Sequence, residues 1–520
     1  MQGRLLFSIA ILIGIYSYFV FFAGLFGNLN KSVIGASLII IFAAILVFLF
    51  VYKESVVSIY IQAKKNSFYF LVLLFCISVN LIGVIGPELG FDALWYHLVI
   101  PKLFIEWESI NFIRGGLLYY SAMPKLVDML YIPALMFGNE LTVKFIHFLF
   151  GILTTVVTYK IANLFLDKKW SYLAAVVFYS NLVVGWMSIT GYIDLGRAFF
   201  GTLSIYSFLL FYKTKDFRYF FLSSILAGFE VATKFLGFST LISLVLAYVF
   251  FIDGRMFLKI KNIILYVLIS VAVVTPWLIF SYISTNHLFY PFFTDIYPSG
   301  VSILSFNPLL ILKDTIGLFL FSADPISPIY LIFLPIIVFH FKSSSKNIKL
   351  LIFILAINLL IWNFVPQKNS RFIIPYLPIF SVLAIWGLSV STKNLQKIGY
   401  IFLYFTFILN IIYRGVANFK YVPVILVLES KKEFLVQNLN FDFGDYLDVE
   451  NKVERIVKDE KVLIKGIHNL YYVDFSFDHE SWAKGDNYSY ILTRGELEDK
   501  NGYNLIYIDL ITNTYLYEKN

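Results

Sequence analysis

One cysteine and few charges set the first limits on this 520-residue chain. Cys76 stands alone, which excludes an intramolecular disulfide and any cysteine-based metal cluster; its place in the apolar run from Phe70 to Val84 points to packing. Only 14% of the residues are charged against 59% hydrophobic, and the mean hydropathy is +0.78. Apolar runs long enough to cross a bilayer recur up to residue 413, without the polar and apolar alternation of barrel strands. Lipid offers no partner to an open backbone, so these runs predict an all-α polytopic membrane protein. No small-residue cleavage site follows the first run, residues 5–27, which reads as an uncleaved span rather than a signal peptide.

The formal charge of +8 is unevenly divided: residues 1–413 hold 28 Lys+Arg against 15 Asp+Glu, whereas residues 414–520 hold 13 against 18. Lys and Arg accumulate in cytoplasmic loops for insertion reasons, so basic loops between spans need no nucleic-acid partner, and none is assigned. The loop carrying Lys53, Lys64 and Lys65 lies inside by this rule, as do the later Lys-rich loops at 168–169, 213–218, 255–261, 342–349 and 393–397. The scheme predicts about thirteen transmembrane helices, 171–189, 327–341 and 397–413 among them, in a multi-pass protein of the cytoplasmic membrane with its N-terminus in the cytoplasm. Residues 87–139, and part of the loop 282–326 that contains Asp324, read as interfacial helices in outer loops. Residues 414–520 lose hydrophobicity and show β-like runs at 461–465, 488–493 and 504–508, which predict a small C-terminal extracytoplasmic α/β or β-rich domain.

Polar chemistry concentrates where the third span ends, in the stretch Gly86-Pro-Glu88-Leu-Gly-Phe-Asp92-Ala-Leu-Trp95-Tyr96-His97. The topology puts on that same side Asp194, Lys234, and Arg371 with Lys368 in the loop that begins at Pro366. Two carboxylates with separate cations suit a reaction in which one acid takes a proton from an attacking hydroxyl while the cations hold a departing phosphate, and the substrate implied is an anionic lipid. Each residue also has a plainer reading. Asp92 and Asp194 could cap helices, Lys234 could snorkel, and Arg371 could anchor at the interface. His97 follows Asp92 by five residues and points elsewhere on a helix, which suits a substrate contact or a buried hydrogen bond better than a shared metal. Glu230 lies inside a span four residues before Lys234, so an i,i+4 ion pair is expected there. In the tail, His468, Asp474, Asp478, His479 and Glu480 sit among aromatics and fit a glycan contact or, preferably, a packed strand edge.

With these residues in view, the chain resembles the GT-C-type integral membrane glycosyltransferases, in particular the protein mannosyltransferase-like and aminoarabinose-transferase-like group that uses polyprenyl-phosphate sugars. Phe91-Asp92-Ala-Leu-Trp-Tyr-His97 with Pro101-Lys102 looks like the acidic motif of the family's first extracytoplasmic loop. Residues 124–166 are similar to its interfacial helix and following span, Tyr192-Ile-Asp194-Leu matches a second acidic position, Gly228-x4-Thr233-Lys234 a helix turn, and Arg371-x3-Pro375-x2-Pro378 a late segment. The chain departs from the pattern in having two spans before the one that leads into the acidic loop, and in carrying Glu230 at a usually apolar position. The resemblance implies a GT-C-like catalytic domain at 1–413 beside the C-terminal domain at 414–520. It implies an inverting transfer from a polyprenyl-phosphate sugar donor to an extracytoplasmic acceptor, with Asp92 as general base, Asp194 supporting the site or a metal, and Lys234 and Arg371 on the donor phosphate. Glu88, Tyr96, His97 and Lys368 are expected as further substrate contacts. Metal use differs among relatives, so no metal or other cofactor is assigned. A transporter or flippase of lipid-linked glycans would need midplane ionisable groups and repeated broken helices, of which only Glu230 is seen; a glycan polymerase or ligase is chemically nearer.

Overall fold

The computed structural model describes residues 3–53, 67–295, 307–322, 326–364, 368–485, 487–497 and 502–520. Lys64, Lys65, Asp324 and Pro366 lie outside the described residues. In so uniformly apolar a chain, short polar side chains mark where helices begin. Asn30 accepts from the Val33 amide, Asn139 from Leu141, Asp167 from Trp170, Ser345 from Ile348 and Thr392 from Leu395, each satisfying an amide that the helix leaves open.

Among the described residues, seven helices are long and apolar enough to cross a membrane: Arg4–Leu25, Lys31–Val51, Glu140–Ala162, Asp194–Thr214, Met256–Thr285, Ser370–Val390 and Lys393–Phe419. Shorter apolar helices add to the bundle, so the fold is a polytopic helical membrane protein, but the expected number of about thirteen spans is not reached by length. Two reasons are visible. The stretch 171–189 is broken at Ser180–Asn181 into Lys168–Tyr179 and Leu182–Met187, and the span expected at 327–341 is an eleven-residue helix, Ile329–Phe339. Conversely, the last long helix continues past 413 to Phe419.

The helix Asp194–Thr214 is the centre of the bundle, almost wholly buried between Glu140–Ala162 and Phe217–Thr233. Outer helices present Ile39, Ile40, Phe42 and Phe50, or Ile401, Phe405 and Ile412, outward, as lipid-facing surfaces do. The region 87–139 folds into short pieces: a π-helical turn Ala93–His97, the helix Val99–Glu106, two 3-10 turns and Tyr131–Phe137. A short helix, Pro308–Leu320, forms in the later loop.

The C-terminal part is a five-stranded mixed sheet of β1 (Val462–Lys465), β2 (Phe477–His479), β3 (Tyr490–Arg494), β4 (Tyr503–Asp509) and β5 (Thr514–Lys519), in the order β2-β1-β3-β5-β4. β1 runs parallel to β2 and β3, in register Val462 to Phe477 and Val462 to Tyr490; β5 is antiparallel to β3 and β4. With the helices Lys431–Asn438 and Lys452–Val457 this is an α/β arrangement. It is joined to the helical part by polar contacts. The Tyr472 hydroxyl donates to the Glu88 carbonyl at 2.8 Å, Lys102 donates to the carbonyls of Tyr471 and Val473, and Lys431 pairs with Glu140 at 2.5 Å.

Candidate active site

Five of the expected residues converge. Asp92 opens the π-helical turn with helical backbone angles and makes no capping hydrogen bond; its carboxylate faces Arg371, with Nη2 2.7 Å from Oδ2. The Tyr96 hydroxyl, one turn on, donates to the same Oδ2 at 3.0 Å. Asp194 begins the central helix, again without capping it, and Lys234 Nζ lies 3.3 Å from its Oδ1. The two acid–cation pairs share a floor: Lys234 Nζ is 4.7 Å from the centre of the Phe372 ring and the Arg371 guanidinium 5.5 Å from it. Arg371 also stacks at 5.1 Å over Tyr192, whose hydroxyl accepts the Asp92 amide at 3.1 Å. Capping therefore explains neither acid. Hydrogen-bonding capacity is left over: the Arg371 Nε and the Asp194 Oδ2 are buried without a hydrogen-bond partner among the described residues.

Glu230 and Lys234 do not pair as their spacing suggested. The helix Phe217–Thr233 ends one residue before Lys234, which takes extended backbone (φ −160°, ψ 134°) before the 3-10 turn Phe235–Gly237. The i,i+4 relation holds only while the helix continues. Lys234 thus swings to Asp194, and Glu230 faces Arg197 at 3.3 Å.

Three other expected contacts are engaged elsewhere. Glu88 is buried and its two oxygens accept the amides of Leu89 (2.9 Å), Gly90 (2.6 Å) and Gly191 (2.5 Å), so it braces the turn below Asp92. Burial raises its pKa above the usual carboxylate value, against the pull of Lys144 and those amides. His97 is buried with Nδ1 2.7 Å from Asp128, the buried hydrogen bond that was one of its two expected roles. Lys368 pairs with Asp314 of the short helix Pro308–Leu320 and lines a cavity of about 680 Å³ there.

Several neighbours were not singled out from sequence. Lys125 lies 5.7 Å over the Tyr96 ring and 3.6 Å from Asp128, and burial lowers its pKa despite that acid. His147 receives the Leu195 amide on Nε2 at 2.9 Å and faces the Thr190 carbonyl through Nδ1 at 2.8 Å, which makes it a neutral ring carrying its proton on Nδ1 and steadying the turn into Asp194. Arg197, inside an apolar helix one turn after Asp194, carried a readable signal, since intramembrane charges are rare. In the tail, His468 stacks on Phe91 (5.2 Å) and meets Trp95 at a tilt (4.4 Å), so this part of the 466–482 segment packs against the acidic motif, while His479 is buried in β2. No three His, Cys, Asp or Glu side chains among the described residues form a set that could hold a metal ion.

In fold the chain is similar to integral membrane glycosyltransferases of the GT-C type, the group that its motifs resemble. Residues 129–280 match the family model for dolichyl-phosphate-mannose-protein mannosyltransferase. The chain is similar in fold to the crystal structures of ArnT from Cupriavidus metallidurans. Against the form bound to undecaprenyl phosphate the TM-score is 0.58 at 11% identity, covering 88% of this chain and 98% of that one. Against the apo form it is 0.56 at 10% identity, covering 87% and 98%. The archaeal oligosaccharyltransferase AglB from Archaeoglobus fulgidus, in complex with an inhibitory peptide and a dolichol-phosphate, matches at a TM-score of 0.48 and 12% identity, covering 83% and 70%. No curated protein matches the sequence.

Proposed function

We propose that this protein transfers one sugar from a polyprenyl-phosphate carrier to a hydroxyl or amine of an acceptor on the extracytoplasmic side, with inversion at the anomeric carbon. The reading rests above all on the two acid–cation pairs Asp92–Arg371 and Asp194–Lys234, which meet over Phe372 and keep unused hydrogen-bonding capacity. That ArnT, which shares the fold, is bound to undecaprenyl phosphate supports a lipid-phosphate donor.

Tyr96 and Arg371 both engage Oδ2 of Asp92, and Oδ1 is the oxygen offered to the acceptor. As the acceptor oxygen or nitrogen bonds to the anomeric carbon, its proton passes to Asp92 and the bond from that carbon to the phosphate oxygen breaks. The electron pair leaves with the polyprenyl phosphate, whose growing charge is taken up by Arg371 and Lys234. Arg371 suits this because a guanidinium keeps several donors in a fixed fork, so one can hold Asp92 while others meet phosphate. Asp194 holds the Lys234 ammonium in place between turnovers. In this scheme residues 1–413 are the catalytic domain and residues 414–520 an extracytoplasmic domain packed beside Asp92.

The test is transfer of labelled sugar from a polyprenyl-phosphate donor in membranes containing Asp92→Asn or Lys234→Ala protein. Loss of transfer with normal protein levels is expected; full transfer in both variants would end this reading.

A further inference from the structure

The buried pair Arg197–Glu230 takes no part in the scheme above, yet its contacts lead to both phosphate cations. Arg197 is 1% exposed and Glu230 is fully buried, with Nε 3.3 Å from Oε1. A charge pair inside a membrane bundle is costly to desolvate, and apolar residues of similar volume commonly serve stability as well or better. Its retention therefore asks for another reason, and the remaining donors of Arg197 supply one. Nη1 donates to the Phe372 carbonyl at 2.8 Å, on the residue after Arg371. Nη2 donates to the Leu236 carbonyl at 3.3 Å, two residues after Lys234, and to the Tyr376 hydroxyl at 3.1 Å.

Both carbonyls belong to 3-10 segments, Ser370–Tyr376 and Phe235–Gly237, whose chains do not complete regular helical ladders. Such segments rely on contacts from outside, and one guanidinium bonds to both. Glu230 orients that guanidinium from the neighbouring helix, and Gly201 leaves it room: a Cβ there would lie 2.6 Å from Oε2 of Glu230. Tyr376 extends the same net to Ser239 and Thr240 on the helix Phe238–Phe251.

We propose that Arg197, oriented by Glu230, is a positioning residue that sets the spacing of Lys234 and Arg371 to fit one phosphate group. The proposal rests on the reading of those two cations as the donor-phosphate site. Lysine cannot replace Arg197, because a single ammonium lacks the planar fork that reaches both segments.

The experiment measures binding of a polyprenyl monophosphate to the purified full-length protein in detergent, with the thermal midpoint recorded for every variant. Arg197→Lys is expected to weaken binding about tenfold, and to add little once Arg371→Ala is present, as coupled groups do. The paired variant Arg197→Met with Glu230→Leu removes both charges at once, so it is expected to keep the thermal midpoint while weakening binding at least as much. A merely structural pair would lower the midpoint and leave the affinity of the folded protein unchanged. Wild-type affinity in Arg197→Lys or in the paired variant overturns the proposal, and so does an effect of Arg197→Lys that adds in full to that of Arg371→Ala. Lys234→Ala and Arg371→Ala on their own separate the two readings. If neither weakens binding, the phosphate site itself is wrong; if both weaken it and the Arg197 variants do not, only the positioning role falls.

Discussion

Two layers of ion pairs lie along the central helix, alike in chemistry and different in exposure. In the upper layer, Asp92 and Arg371 are each 14% exposed and Lys234 is 18% exposed, beside a buried Asp194. In the lower layer, Arg197 and Glu230 are closed off as an ion pair at 3.3 Å, and Arg197 alone donates to the backbone carbonyls of Phe372 and Leu236. Partly hydrated charges can exchange one partner for a ligand at small cost, whereas enclosed charges cannot. That difference fits the proposed roles, with the upper layer meeting substrate and the lower layer holding it in position.

The largest effect that separates the layers is expected from Asp92→Asn. It keeps the shape and removes the proposed base, so turnover should fall about a thousandfold, with protein yield unchanged. A drop below tenfold in single-turnover assays would mean that the proton goes elsewhere. Next come Lys234→Ala and Arg371→Ala, each expected to slow transfer about a hundredfold by removing charge proposed to meet the leaving phosphate. A KM-only change would assign them to uniform binding instead.

Glu88→Gln probes the brace beneath the upper layer. Both carboxylate oxygens accept amides, so a Gln must turn an NH2 toward a donor; a loss of about 1–3 kcal/mol in stability is expected, read as a lower thermal midpoint, while the carrier KM stays near wild type. The smallest effect is expected from Lys368→Ala, whose pair with Asp314 is about a quarter exposed on each side: under about 1 kcal/mol of stability and turnover within about twofold. A raised donor KM would return Lys368 to the substrate site.

Much of the fold was legible because its signals are local. Apolar runs marked most long helices, and the runs at 461–465, 488–493 and 504–508 became β1, β3 and β4. β2 was missed because three residues, Phe477–His479, show no alternation, and the break at Ser180–Asn181 because the flanking residues are apolar on both sides. Asp92, Asp194, Lys234 and Arg371 were legible as polar residues at the ends of apolar runs. Their partners were not, since a side chain's partner depends on backbone direction beyond its own helix, as Lys234 shows when its extended conformation takes it from Glu230 to Asp194.

What the sequence determined by itself is the membrane bundle, the mixed C-terminal part and the short roster of charges that interrupt the apolar runs, because hydropathy and periodicity are properties of neighbours in the chain. Which charge meets which was decided only by tertiary structure. Asp92 and Arg371 are 279 residues apart in sequence and 2.7 Å apart in space, and Glu88 and Gly191 are separated by 103 residues and joined at 2.5 Å. Electrostatic attraction acts over distances in space, and in a low-dielectric bundle it is the packing of helices that sets those distances.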